Sequence, residues 1–166
     1  MTKEKIDFAQ FMNQQHLCES LTIREVRTLI EFTELVICNK NDIIAEIGEV
    51  GNALYFVIQG SAALFTAGRR ESQVGCIKAG ELMGEMSFFD RQPRSVRARA
   101  MENDTRLLKL TRSMYQRLRV EHPYIAVNLL EHAIISLDHL LREMSKNVSQ
   151  FVDHVDTPGG NQPGAN

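Results

Sequence analysis

Residues 79–100 read Ala-Gly-Glu-Leu-Met-Gly-Glu-Met-Ser-Phe-Phe-Asp-Arg-Gln-Pro-Arg-Ser-Val-Arg-Ala-Arg-Ala. Gly-Glu occurs twice, at Gly80-Glu81 and Gly84-Glu85, and an apolar run of Met86, Phe88 and Phe89 follows. Next come Pro93-Arg94-Ser95 and an alternating, strand-like segment from Val96 to Ala100. These residue types suit the holding of an anion. Gly84 lets the backbone approach a ligand closely. A turn of successive backbone N–H groups can face anionic oxygens. Arg94 presents a planar fork of donors, and Glu85 presents acceptors for hydroxyl groups.

On either side of this stretch, from Glu34 to about Thr111, short β-branched or aromatic runs alternate with Gly, Asn and Asp. The runs predict strands at 34–38, 43–47, 53–59, 62–67, 73–77, 96–100 and 105–110, separated by turn signals such as Asn39-Lys40-Asn41-Asp42 and Gly60-Ser61. Such spacing points to an antiparallel roll or sandwich. A short helical turn around Met86–Asp90 interrupts it. Helical periodicity flanks the roll. Thr22-Ile23-Arg24-Glu25 has capping-box spacing ahead of Ile23, Val26, Leu29 and Ile30. Residues 1–19 read as a weaker amphipathic helix that Asp7 caps. Beyond Thr111, Ser113 caps a short helix that ends before His122-Pro123. Pro123 opens a long helix running to Val148 or beyond. Its Leu130, Ile134, Leu137, Leu141, Met144, Val148 and Phe151 are spaced 4, 3, 4, 3, 4, 3, a heptad seam. A second stripe, Leu129, Ala133 and Leu140, lies on an adjoining face. A monomeric amphipathic helix needs one apolar face, so one stripe is expected on the roll and the other on a partner helix. The fold class is therefore α+β, an antiparallel, jelly-roll-like β-roll with flanking helices. One domain covers 1–152, with N-terminal helices at 1–33, the roll at 34–111 and C-terminal helices at 112–152. The Pro-, Gly- and Asn-rich segment 153–166 is expected to be a disordered tail.

Composition narrows the function. The chain has 166 residues, 43% of them hydrophobic, and a net charge of −2, so no global basic field draws it to nucleic acid. Its three cysteines, Cys18, Cys38 and Cys76, lack Cys-x-x-Cys spacing, and its five histidines lack metal spacing. No metal site is expected, and Cys76 reads as a packed core thiol. The charged N-terminus is not a secretory signal and no apolar run is long enough to span a membrane. A cytoplasmic location fits the reduced cysteines. No nucleophile–base arrangement, P-loop or supported carboxylate dyad is present, and the chain reads as a non-enzyme.

Met83 to Ala98 resembles the phosphate-binding cassette of the cyclic nucleotide-binding domains, the family found in catabolite-activator transcription factors, kinase A regulatory subunits and cyclic nucleotide-gated channels. The family pattern is approximately Phe-Gly-Glu-Leu-Ala-Leu, four variable residues, then Pro-Arg-Ala/Ser-Ala-Thr-Val. It lies on this stretch without a gap. Gly48-Glu49-Val50-Gly51-Asn52 and the strand through Gly60 resemble the glycine turns of the same roll. The resemblance implies cyclic AMP or cyclic GMP as ligand. It implies that Arg94 pairs with the cyclic phosphate, that Ser95 adds a hydroxyl and an N–H, that Glu85 takes the ribose 2′-hydroxyl, and that Gly84, Met86 and Ser87 offer backbone. It also implies dimerisation through the helix 124–151 and signalling to a partner protein. No helix-turn-helix is expected after the long helix, so no direct DNA binding. Two departures mark the base end. Val96 and Arg97 stand where the family has small and hydroxylated residues. Leu140 and Leu141 stand where the catabolite-activator branch offers hydroxyls to adenine. Arg97 either reaches the pocket or lies with Arg99 on a solvated strand face. Two functions follow: a stand-alone cyclic nucleotide-binding regulatory domain, or a ligand-free protein-interaction module that keeps the fold.

Overall fold

The computed structural model describes Phe11 and residues 19–155, with side chains described through residue 142 and at Ser145. The expected helix over 1–19 lies almost wholly outside the described residues. The first complete helix, α1 (Ile23–Glu31), starts where the sequence places it. The Thr22 hydroxyl accepts from the Glu25 N–H at 3.3 Å, and the Glu25 carboxylate accepts from the Thr22 N–H at 2.7 Å. This reciprocal cap satisfies two otherwise orphan donors. Val26 and Leu29 then face the core.

Among the described residues, eight strands form two antiparallel four-stranded sheets. They are β1 (Glu34–Cys38), β2 (Ile43–Ala45), β3 (Ala53–Gln59), β4 (Ser61–Thr66), β5 (Ser72–Lys78), β6 (Leu82–Met83), β7 (Val96–Ala100) and β8 (Thr105–Thr111). One sheet has the order β1-β8-β3-β6 and the other β2-β7-β4-β5. The seven predicted strands are all present. The additional β6 is two residues long, too short for a periodic signal, and exists because Leu82 and Met83 pair with Phe56 and Tyr55. Strand β2 ends at Ala45, short of the expected 47, and its ladder to β7 shifts register between Ile43 and Ala45. Cys76 is exposed rather than packed. It lies on the edge strand β5, on the same outward face as exposed Val74.

Helix α2 (Glu85–Asp90) leaves the roll between β6 and β7. Helix α3 (Arg112–Glu121) follows β8. Its N-cap is Thr111, whose hydroxyl accepts from the Met114 N–H at 3.3 Å; Ser113 instead sits inside the first turn. Thr111 ends β8 in extended geometry, which is the backbone an N-cap requires. Pro123 opens α4 (Pro123–Val155). The helix thus continues three residues past the expected domain limit at 152, and the rest of the expected tail lies outside the described residues. Ile125, Ala126, Leu129 and Ala133 are buried in one cluster with Phe56, Leu82, Phe88, Leu108, Leu110 and Leu118. The stripe carrying Leu129 and Ala133 is therefore the one that packs on the roll. From the heptad seam, Leu130 is half-buried while Ile134 and Leu141 are exposed. Met144, Val148 and Phe151 lie outside the residues whose side chains are described.

Candidate functional site

The two glycine-bearing stretches that the sequence singles out, 48–52 and 84–95, meet in space. Val50 bridges Pro93 antiparallel, the Gly48 N–H donates to the Arg94 carbonyl at 2.9 Å, and the Arg94 N–H donates to the Glu49 carbonyl at 2.9 Å. Ser87 ties this bridge to α2. Its hydroxyl accepts from the Gly51 N–H at 2.7 Å and donates to the Gln92 carbonyl at 2.6 Å. Ser87 is thus a structural clasp through its side chain. Arg112 closes the loop from the other side, donating to the Gly51 carbonyl at 2.6 Å.

The Arg94 guanidinium lies over two glycines. A Cβ placed on Gly51 would stand 2.7 Å from its Nη2, and one on Gly84 would stand 3.5 Å from Nη1 and 3.1 Å from the Ala53 carbonyl oxygen. Gly84 also has φ +95°, a left-handed backbone that L side chains rarely adopt. It is the N-cap of α2. Glycine at 51 leaves the room this guanidinium occupies, and glycine at 84 is required by its left-handed backbone and the nearby Ala53 carbonyl. Among the described residues no carboxylate pairs with the Arg94 guanidinium, and neither Glu85 nor Asp90 forms an ion pair with it. A guanidinium held by shape and left without a counter-ion is a ready anion partner.

Glu85 sits beside it, 7% exposed. The Ser136 hydroxyl on α4 donates to its Oε1 at 3.1 Å. Burial raises the Glu85 carboxyl above its ordinary value; its own backbone N–H, the Ser136 hydroxyl and the Arg94 charge all pull the other way. Ser95 is exposed beside Arg94. Met86 is 58% exposed and turns its side chain away from the core, which leaves its backbone as the part next to Gly84 and Glu85. The predicted residues thus come together at one end of the roll, around α2 and the start of β7.

The base end differs from the expectation. Arg97 donates from Nε to Glu46 at 2.8 Å and from Nη1 to Glu71 at 2.9 Å, and Arg99 donates to the same Glu71 at 2.8 Å. Arg99 also lies over the Phe65 ring. Ala98 and Ala100, on the opposite face of β7, are buried. Arg97 therefore belongs to an ion-paired outer strand face, the second of the two readings of that residue. On α4, Leu141 is exposed and Leu140 half-buried. The hydroxyl that reaches the site is Ser136, one turn earlier. Sequence reasoning missed Ser136, Gly51 and Arg112 as parts of the site. Ser136 carried a signal, a hydroxyl one helical turn before Leu140; Gly51 was marked only as part of a glycine turn, and nothing in the sequence ties Arg112 to its carbonyl.

Among the described residues there is no group of three or more His, Cys, Asp or Glu placed to hold a metal ion, and no helix long and apolar enough to cross a membrane.

A family model described as "Cyclic nucleotide-binding domain" matches residues 35–122. A curated relative, the cyclic AMP receptor protein of Thermus thermophilus, is 39% identical over 109 residues, which is 60% of this chain and 50% of that protein. The chain thus spans half the length of that relative. Among solved structures, the Thermus thermophilus catabolite activator protein superposes with a TM-score of 0.67 at 32% identity, covering 82% of this chain and 62% of that one. A cyclic nucleotide-binding domain from Methylobacillus flagellatus superposes with a TM-score of 0.68 over 94% of this chain and 86% of that one. At 20% identity the latter likeness is one of fold.

Proposed function

This chain belongs to the cyclic nucleotide-binding domain family, and on that premise we propose that it is a regulatory domain that binds a cyclic mononucleotide at the Arg94–Glu85 site. The family binds ligands rather than transforming them, and the chain is not an enzyme. The observation that carries the proposal is the Arg94 guanidinium, seated over Gly51 and Gly84, without a paired carboxylate among the described residues, and next to buried Glu85. In this reading the cyclic phosphate takes the guanidinium fork and the Ser95 hydroxyl and N–H. The ribose 2′-hydroxyl donates to Glu85, and the backbone at Gly84, Met86 and Ser87 lines the phosphate. Cyclic AMP is the first ligand to test, because the curated relative is named for it; cyclic GMP is the second.

The Ser136–Glu85 hydrogen bond links the site to α4. A ligand that engages Glu85 changes what holds α4 against the roll, and α4 carries the response. Its outward face, with Val127, Ile134 and Leu141 exposed at seven-residue spacing, is the proposed homodimer contact. A separate partner protein in the cytoplasm then reads the state of that helix. The alternative, a ligand-free interaction module, rests on Val96, Arg97 and the Leu140–Leu141 pair at the base end. The ion pairs of Arg97 with Glu46 and Glu71 favour the binding reading instead. Isothermal titration with cyclic AMP and cyclic GMP tests the proposal. Saturable binding of either supports it, and no heat at millimolar ligand with folded protein overturns it.

A further inference from the structure

Apart from the Arg94–Glu85 site, α2, α3 and α4 line a second cleft of about 320 Å³, partly open to solvent. Small-ligand pockets start at roughly 300 Å³. Three arginines line it, Arg91, Arg112 and Arg119, around Phe88, Phe89 and Tyr115, and no acidic residue is among its lining. This concentration of positive charge is local, since the chain as a whole carries −2. Like charges gathered in one cleft repel one another and focus a field that draws anions. Among the described residues neither Arg91 nor Arg119 forms an ion pair. The nearest acids in sequence are engaged elsewhere. Glu121 pairs with Arg117 at 2.9 Å, and the Asp90 carboxylate accepts from the Gln92 N–H at 2.8 Å.

The cleft also has a built floor. Arg112 lies over the Phe88 ring at 4.5 Å and is held by the Gly51 carbonyl, so its position is fixed before any ligand arrives. Phe88, Phe89 and Tyr115 meet edge to face, with centroids 5.1 to 5.8 Å apart. Phe88 and Tyr115 are buried, whereas Phe89 keeps 36% of its surface exposed. Arg91 caps the end of α2 with φ +59°, a left-handed backbone where a non-glycine residue is uncommon. The glycine that usually ends a helix in this geometry would place no charge at the rim.

We propose that this cleft is a second binding site, distinct from the Arg94–Glu85 site although it shares α2 with it, for a small organic oxyanion whose ring-sized apolar body rests on Phe89. The arginines take the oxyanion and Phe89 takes the ring. The proposal needs nothing from the cyclic nucleotide reading, and its test is arranged to separate the two. Phenyl phosphate is the probe, titrated into the Arg94→Ala variant so that the cassette guanidinium takes no part, with Phe89 and arginine side-chain resonances followed by NMR. Wild type is titrated in parallel, which keeps the test open should Arg94→Ala fold poorly. Saturable shifts at Phe89 with submillimolar affinity are expected. The double substitution Arg91→Gln and Arg119→Gln, both at exposed positions, weakens binding by about tenfold or more, as loss of charge-assisted contacts implies. Inorganic phosphate binds more weakly than phenyl phosphate. Absence of saturation at millimolar probe, equal binding by the double variant, or equal binding of inorganic phosphate overturns the proposal.

Discussion

Glu85 is a carboxylate placed where little water reaches it, and its chemistry has two opposite consequences. Burial raises its carboxyl above the ordinary value of 4.5 in the folded state. Between that ordinary value and the raised one, the folded protein holds more protons than the unfolded chain, so stability falls as pH rises through this window. Ligand binding runs the other way. A hydroxyl donor needs the carboxylate, so affinity for cyclic nucleotide falls as pH drops through the raised value. Glu85→Gln separates the two. It removes the burial penalty on the charge, so ligand-free protein at neutral pH melts at the same or a higher temperature than wild type. It also loses the charged acceptor, so affinity for cyclic nucleotide drops, and its dependence on acid pH flattens. Melting curves and calorimetric titrations at neutral and mildly acidic pH check both halves. A variant that is less stable yet binds as well as wild type contradicts this assignment. Gly51 shows a different kind of residue effect. Its role lies in what is absent, since a Cβ there would push directly on the Arg94 Nη2.

At the scale of elements, the site is a meeting of three pieces: the 48–52 turn, α2 with the start of β7, and the middle of α4. The sequence made the first two legible, because glycines and the Pro-Arg-Ser run mark them and because antiparallel strands bring them side by side. The third was legible only in part. Helical periodicity located α4 and its two apolar stripes, and burial of Leu129 and Ala133 distinguishes them. The rotation of α4 about its axis, however, depends on packing against Leu118 and the roll, and periodicity does not report it to within one turn. The site hydroxyl therefore came from Ser136 rather than from the Leu140–Leu141 turn. The cap at Thr111 was displaced for a related reason, since the end of β8 fixes where extended backbone stops. Ser136 carries a prediction at this scale. Its hydroxyl holds one oxygen of Glu85 and leaves a second for a ligand. Ser136→Ala weakens cyclic nucleotide binding by about two- to tenfold, the net value of one hydrogen bond, and speeds amide exchange in the part of α4 facing Glu85. Ser136→Thr retains both. Unchanged affinity and exchange in the alanine variant would remove α4 from the site.

The described residues form a β-roll of two sheets with the candidate Arg94–Glu85 site at one end and a long helix alongside it. The fold followed from strand spacing, and the charge arrangement that gives the site meaning appears only in three dimensions. Arg97 and Arg99 are consumed by Glu46 and Glu71, while Arg94 is not. In sequence the Pro-Arg-Ser run marks Arg94, but nothing marks Glu46 and Glu71 as the acids that engage Arg97 and Arg99. The exposed Val127–Ile134–Leu141 face belongs to the same scale, because an exposed apolar seam marks an interaction surface, and the proposed occupant is a second copy. Sedimentation of the folded protein is expected to show a dimer at micromolar concentration, and Ile134→Asp with Leu141→Asp to show a monomer that keeps its β-roll circular dichroism. A monomeric wild type contradicts the dimer. The central claim is that the Arg94 guanidinium, which no carboxylate pairs among the described residues, receives the phosphate of a cyclic mononucleotide, and calorimetric titration of cyclic AMP into wild type and Arg94→Ala tests it most directly. The account predicts saturable binding to wild type and a loss of about thirtyfold to several thousandfold in the variant, the range for removing one partner of a buried charge-assisted contact. Equal affinity in the two proteins would contradict it.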